Sequence, residues 1–125
     1  MRLGIDTYSF HRYFGELHQG QVDPGVRLDY LSLMKRLDPL QLDGICIETC
    51  FLDLNDHTTV RGIREAAVQR GLEIVLAWGH PMGLHGGSSD EAQRDLERWI
   101  EASGLLGSRV MRICGFELAS SRFSK

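Results

Sequence analysis

The sequence has no apolar run approaching the roughly 20 residues that a membrane-spanning helix requires, and its opening, MRLGIDTYSF, lacks the apolar segment of an export signal. That absence points to a cytoplasmic protein that neither spans nor binds a membrane. Cysteine is scarce. Cys46, Cys50 and Cys114 are an odd number at spacings that match no zinc pattern, so they are expected to be buried free thiols rather than disulfide partners or ligands. Basic charge is not in excess: 14 Lys and Arg against 17 Asp and Glu leave a formal net charge of −3, which argues against a protein that binds a nucleic-acid backbone. Low-complexity tracts, charge blocks and linkers are also missing, so residues 1–125 read as a single domain, long enough to enclose a core.

What is present is a regular alternation. Four short segments rich in Ile, Val and Leu read as buried strands: 2–8, 44–48, 72–78 and 109–116. Amphipathic stretches lie between them. The first, 26–37, places Tyr30, Leu31, Met34 and Leu37 at helical spacing before Asp38-Pro39 interrupts it. The second, 58–70, repeats Val60, Ile63 and Ala67 and stops at Gly71. The third opens on a capping-box pattern, Ser88 three residues before Glu91, carries Ala92, Leu96, Trp99 and Ile100 as its stripe, and ends at Gly107. The order β-α-β-α-β-α-β implies parallel strands with helical crossovers, and residues 11–25 read as a long loop after the first strand.

Side-chain parity decides between two architectures. In the first strand Leu3 and Ile5 share one face, and Gly4, Asp6 and Tyr8 the other; in the second, Ile45 and Ile47 oppose Cys46 and Glu48. In the fourth, Met111 and Ile113 oppose Val110, Arg112 and Cys114, while Val75 and Ala77 lie inward in the third if Ile74 and Leu76 face helices. A doubly wound sheet needs both faces apolar. One apolar face and one face bearing charge near the strand ends suit four strands of a TIM barrel, a half-barrel with open edges unless another chain pairs with it.

The segments RLGIDTYSF, DGICIET, GLEIVLAWGHP and GSRVMRICGF together resemble the first half of the xylose isomerase-like TIM-barrel superfamily, which includes sugar-phosphate isomerases and epimerases. A complete barrel takes about 250 residues, so the resemblance implies strands one to four, apparently truncated after the fourth. It implies a divalent metal (Mn²⁺, Mg²⁺, Co²⁺ or Zn²⁺) held by Glu, Asp, His and Glu of strands five to eight, and so no metal ligand and no assigned catalytic residue in these 125 positions. The half present would form a substrate-side wall for a sugar or polyol. Glu48 matches a sugar-facing position, His80 one that contacts substrate, or metal in endonuclease-like relatives, and Arg112 a basic position, with Tyr8 and His11 at the pocket rim.

Each residue has a plainer reading. Glu48, Asp6 and Arg112 can simply neutralise one another, and His80 can be a turn histidine bonded to backbone. His18, His57 and His85 read as solvated, and Trp78 and Trp99 as packing residues. The leading function is a metal-dependent isomerase or epimerase whose isolated half is inactive. The alternatives are a non-catalytic half-barrel that forms a homodimer through its open edges, and an apurinic-endonuclease-like phosphodiesterase, disfavoured because no basic groove is visible.

Overall fold

The computed structural model describes residues 1–81, 83–84 and 88–114. Four strands, β1 (Gly4–Asp6), β2 (Gly44–Glu48), β3 (Glu73–Gly79) and β4 (Met111–Cys114), form one parallel sheet in the order β1-β2-β3-β4. Between them run α1 (Tyr30–Leu37), α2 (His57–Arg70) and α3 (Asp90–Leu106). The sheet does not close on itself, so the architecture is an open (βα) half-barrel, as parity requires. No helix among the described residues is long and apolar enough to cross a membrane.

Register puts like with like. Ile5, Ile45 and Ile74 lie side by side across three strands, as do Ile47, Leu76 and Met111. These rows face the helices, where Leu33 and Met34 of α1, Ile63 of α2 and Leu106 of α3 are almost wholly buried. Trp78 belongs to the same face, fully buried, and its indole N–H donates to Asp95 of α3 at 2.8 Å. Trp99 is also buried, so both tryptophans are packing residues. The opposite rows are Asp6, Cys46, Val75 and then Glu48, Ala77, Arg112. They line the concave side, whose lower part is an open hollow of about 430 Å³.

Local chemistry sets the element boundaries, and several differ from the sequence reading. β1 stops at Asp6 because the Asp6 carboxylate accepts the Tyr8 N–H at 3.0 Å, turning the chain into a 3₁₀ helix over Thr7–Phe14. The expected loop therefore begins with helix, and Tyr8 leaves the strand. Leu3 lies outside β1 and is half exposed. Helix α1 starts at Tyr30 rather than 26 because Asp29 caps it, accepting from Ser32 N–H at 2.7 Å. The N-cap of α3 is Ser89, which accepts from Ala92 N–H, rather than the expected Ser88. The buried stripe of α3 runs through Ala92, Trp99, Ala102 and Leu106; Ile100 is 52% exposed, and Leu31 of α1 also faces outward. Gly71 and Gly107 end α2 and α3 in the left-handed conformation (φ 64° and 72°), as expected. The cysteines are free, but Cys50 is exposed and Cys46 and Cys114 only half-buried. His85, the glycines beside it and the end of the fourth expected strand lie outside the described residues.

A small buried polar network ties the first strand–helix unit to the second. The Tyr30 hydroxyl donates to the Glu48 carbonyl at 2.8 Å, and the wholly buried Thr7 hydroxyl accepts from Glu48 N–H at 3.4 Å. Each group would otherwise be a buried unpaired dipole. Tyr30→Phe is expected to cost about 1–2 kcal/mol, because it strands that carbonyl while leaving the ring's packing intact. Urea unfolding measures it, and an unchanged midpoint would show that the hydroxyl is redundant.

Candidate functional site

Toward the C-terminal ends of the strands, the concave face carries a charged group. Arg112 of β4 donates through Nη2 to Glu48 Oε1 of β2 at 2.7 Å, and its Nη1 lies 3.4 Å from Asp6 Oδ2 of β1. Ala77 of β3 sits between Glu48 and Arg112 in register, and its methyl group leaves the space over which the two long side chains meet. Strands β2 and β4 are two strand spacings apart, about 10 Å, so a larger residue at 77 would stand in the path of the pair. The pairing proposed as the plainer reading of these charges is thus present. It is not fully buried: the Glu48 side chain is 10% exposed, that of Arg112 51%.

The Glu48 pKa is raised to about 6: burial is the largest cause, the neighbouring Asp6 charge adds to it, and Arg112 pulls against both. For Arg112, desolvation opposes the charged form, but the two carboxylates outweigh it and hold the guanidinium above its ordinary value. Cys46 lies beside Asp6 in register, and burial, then Asp6 and Glu48, push its thiol up to about 11. It is therefore a protonated packing group rather than a nucleophile.

A second cluster stands at the C-terminal end of β1. Tyr8 stacks on His11 (centroids 5.0 Å apart) and on Phe51 (6.4 Å), and its hydroxyl is 2.9 Å from His18 Nε2. Phe51 stacks in turn on Phe14, which packs on the buried Tyr30. Burial raises the Tyr8 pKa, with further contributions from Glu16, Cys50 and Glu48. His11 and His18 come together here with Glu16. Sequence reasoning singled out His11 but treated His18 as solvated and passed over Glu16. The H-x4-E-x-H spacing carries no familiar metal pattern, because the grouping depends on the 3₁₀ turn that precedes it.

His80 follows β3 directly, as expected, with its ring 6.2 Å from Trp78. It lines a separate hollow of about 340 Å³ with Cys50, Asp53, Asp95 and Arg98, between the segments that follow β2 and β3. Asp6, Glu48 and Arg112 converge, Tyr8 and His11 form a neighbouring group, and His80 belongs to a third.

Two sets of potential metal ligands occur among the described residues, each with its donor atoms within 4.8 Å of one another: Asp6, Cys46 and Glu48, and His11, Glu16 and His18. The first does not fit a cation as arranged, since the Arg112 guanidinium already pairs with both carboxylates and the thiol is held protonated. The second fits. No protein-family model matches the chain, and no curated protein matches it.

With a folded pKa above the ordinary carboxylate value, Glu48 contributes stability that is complete below about pH 4.5 and lost as pH rises through about 6. Carbon-detected NMR is expected to show that titration. Arg112→Gln should move it upward by removing the opposing cation, and Asp6→Asn should move it downward. A Glu48 midpoint insensitive to both substitutions would contradict the arrangement.

Proposed function

We propose that the chain is the substrate-binding half of a divalent-metal-dependent isomerase or epimerase acting on a small sugar, sugar phosphate or polyol, active when four further strands close the barrel. The observation that carries this reading is the Asp6–Arg112–Glu48 group on the concave face. Active sites of such barrels form at the C-terminal ends of the strands, and Glu48 and Asp6 are the last residues of β2 and β1. A carboxyl group with a pKa near 6 can hold or release a proton close to neutral pH. Arg112, half exposed, has guanidinium N–H groups left for hydroxyl or phosphate oxygens. Tyr8 and His11 would shape one side of the rim and His80 another. A divalent cation would supply Lewis-acid polarisation of the carbonyl and its neighbouring hydroxyl; the residues of this chain bind, orient and exchange protons.

The test is ketose–aldose interconversion with Mn²⁺, Mg²⁺ or Co²⁺, measured on the chain alone and on the chain combined with a polypeptide that supplies the other four strands. Turnover is expected only in the combination. Glu48→Gln should lower kcat by about 10²–10⁴-fold, whereas Ala77→Leu, which separates Glu48 from Arg112, should chiefly raise KM. Absence of metal-dependent turnover in both arrangements would end the reading.

A second reading has an observation of its own. Among the described residues β1 and β4 each pair on one side only, and Leu3, Val110 and Ile113 are half exposed at or beside those strands. Two copies pairing edge to edge would satisfy the free backbone groups. Light scattering should then report a dimer; a monomer that unfolds cooperatively would remove the motive for pairing.

A further inference from the structure

The His11, Glu16 and His18 side chains converge although they lie on three differently folded pieces of chain. His11 is in the 3₁₀ helix, Glu16 follows the left-handed Gly15 (φ 95°) that ends it, and His18 opens a turn closed by Gln21 N–H donating to the His18 carbonyl at 3.0 Å. The backbone that carries them is pinned. Glu16 N–H donates to the His11 carbonyl at 3.1 Å, and Gln21 Oε1 accepts from His18 N–H at 3.0 Å.

The His11 ring is held as a metal-binding imidazole is held. Its Nδ1 is 3.0 Å from the Glu16 carbonyl, and a carbonyl only accepts, so Nδ1 carries the proton and Nε2 presents its lone pair. Among the described residues that Nε2 has one hydrogen-bond partner, the Gln21 amide nitrogen, at a long 3.4 Å. His18 Nε2, in contact with the Tyr8 hydroxyl at 2.9 Å, is 3.9 Å from Glu16 Oε1. An independent observation concerns the other carboxylate oxygen. Glu16 Oε2 is shielded from solvent and has no hydrogen-bond partner among the described residues, and it is the only buried side-chain polar atom there left in that condition. The Glu16 side chain as a whole is 38% exposed, so its charge stays solvated through Oε1, while the shielded Oε2 is an acceptor that a cation can satisfy.

We propose that His11, Glu16 and His18 form a three-ligand site for a zinc-type divalent transition metal, with a fourth position open beside the Tyr8 hydroxyl. Two imidazoles and one carboxylate select Zn²⁺ or Co²⁺ over Mg²⁺ or Ca²⁺, which prefer all-oxygen shells. Three protein ligands with one vacant corner is the pattern of sites that bind a water or an exchangeable ligand. The donor atoms lie within 4.8 Å of one another. Tetrahedral bonds of about 2.0–2.1 Å bring donors to roughly 3.4 Å, so ion binding requires a contraction of the cluster, and the His18 side chain, 51% exposed, has room to move. The Tyr8 hydroxyl, 2.9 Å from His18 Nε2, would give up that hydrogen bond when the nitrogen takes the ion and would then be free to bond the fourth ligand. The site does not depend on the sugar reading: it uses none of the Asp6–Arg112–Glu48 group and shares with that reading only Tyr8 and His11 at the rim.

The experiment is titration of the tag-free full chain with Co²⁺ and, by calorimetry, with Zn²⁺. One equivalent should bind with the intense visible d–d bands of a four-coordinate cobalt site, and Zn²⁺ should displace it. His11→Ala, His18→Ala and Glu16→Gln should each weaken Zn²⁺ binding by about 100-fold or more, since loss of a direct ligand exceeds the 10–100-fold typical of outer partners. Tyr8→Phe should leave Zn²⁺ binding within a few-fold while altering the cobalt spectrum. Glu16→Gln keeps the shape of its parent and, with circular dichroism unchanged, separates ligand loss from misfolding. Binding unaffected by these three substitutions, binding lost instead in Cys46→Ser, or a weak six-coordinate cobalt spectrum would each overturn the proposal. Failure of the isomerase assay would leave it standing.

Discussion

Glu48 and Arg112 can meet only because β3 places an alanine between them. Parallel register sets Glu48, Ala77 and Arg112 in one row across three strands, all pointing to the concave side. The same alternation sends Ile47, Leu76 and Met111 to the other side, into the helices. A slip of one residue in any pairing would exchange the two sets, placing carboxylate and guanidinium in the apolar layer. The register is therefore held by a large energetic difference, and the charged group on the inner face follows from the packing on the outer one.

The outer layer has its own anchors. Trp78 is entirely buried yet keeps its indole N–H satisfied by Asp95 of α3, which fixes how that helix lies on the sheet. At the other side, Tyr30 fills the space between α1 and the first two strands while its hydroxyl holds the Glu48 carbonyl. The backbone of the principal carboxylate is thus positioned from the core, and its side chain from the concave face by Arg112. Two independent restraints on one residue are the usual means by which a polar group is preorganised.

From Tyr30 the aromatic contacts continue through Phe14 and Phe51 to Tyr8, and then to His11 and His18. This stack joins the apolar layer to the rim. It supports the 3₁₀ segment, whose own i→i+3 hydrogen bonds are too weak to hold eight residues in that form without packing. The two polar groups, one on the inner face and one at the rim, therefore rest on one packed framework.

The strand–helix alternation, the parallel sheet, the inward carboxylate and guanidinium and the glycine stops at 71 and 107 were all legible in the sequence, because periodicity and capping depend on neighbours a few residues apart. The one-residue shift of the α3 cap to Ser89 and the turn of Tyr8 out of β1 were not legible, since adjacent serines offer equivalent caps and the Asp6 turn competes with strand extension on nearly equal terms. The contact between Glu48 and Arg112 spans 64 positions and exists only once β3 has aligned between them. Likewise, the convergence of His11, Glu16 and His18 needs the 3₁₀ turn, Gly15 and the aromatic stack together. Sequence determined which face most strand side chains take; tertiary structure decided where Tyr8, Leu31 and Ile100 point and at what distances the polar groups meet, because separation in space depends on strand register and chain reversal rather than on spacing along the chain.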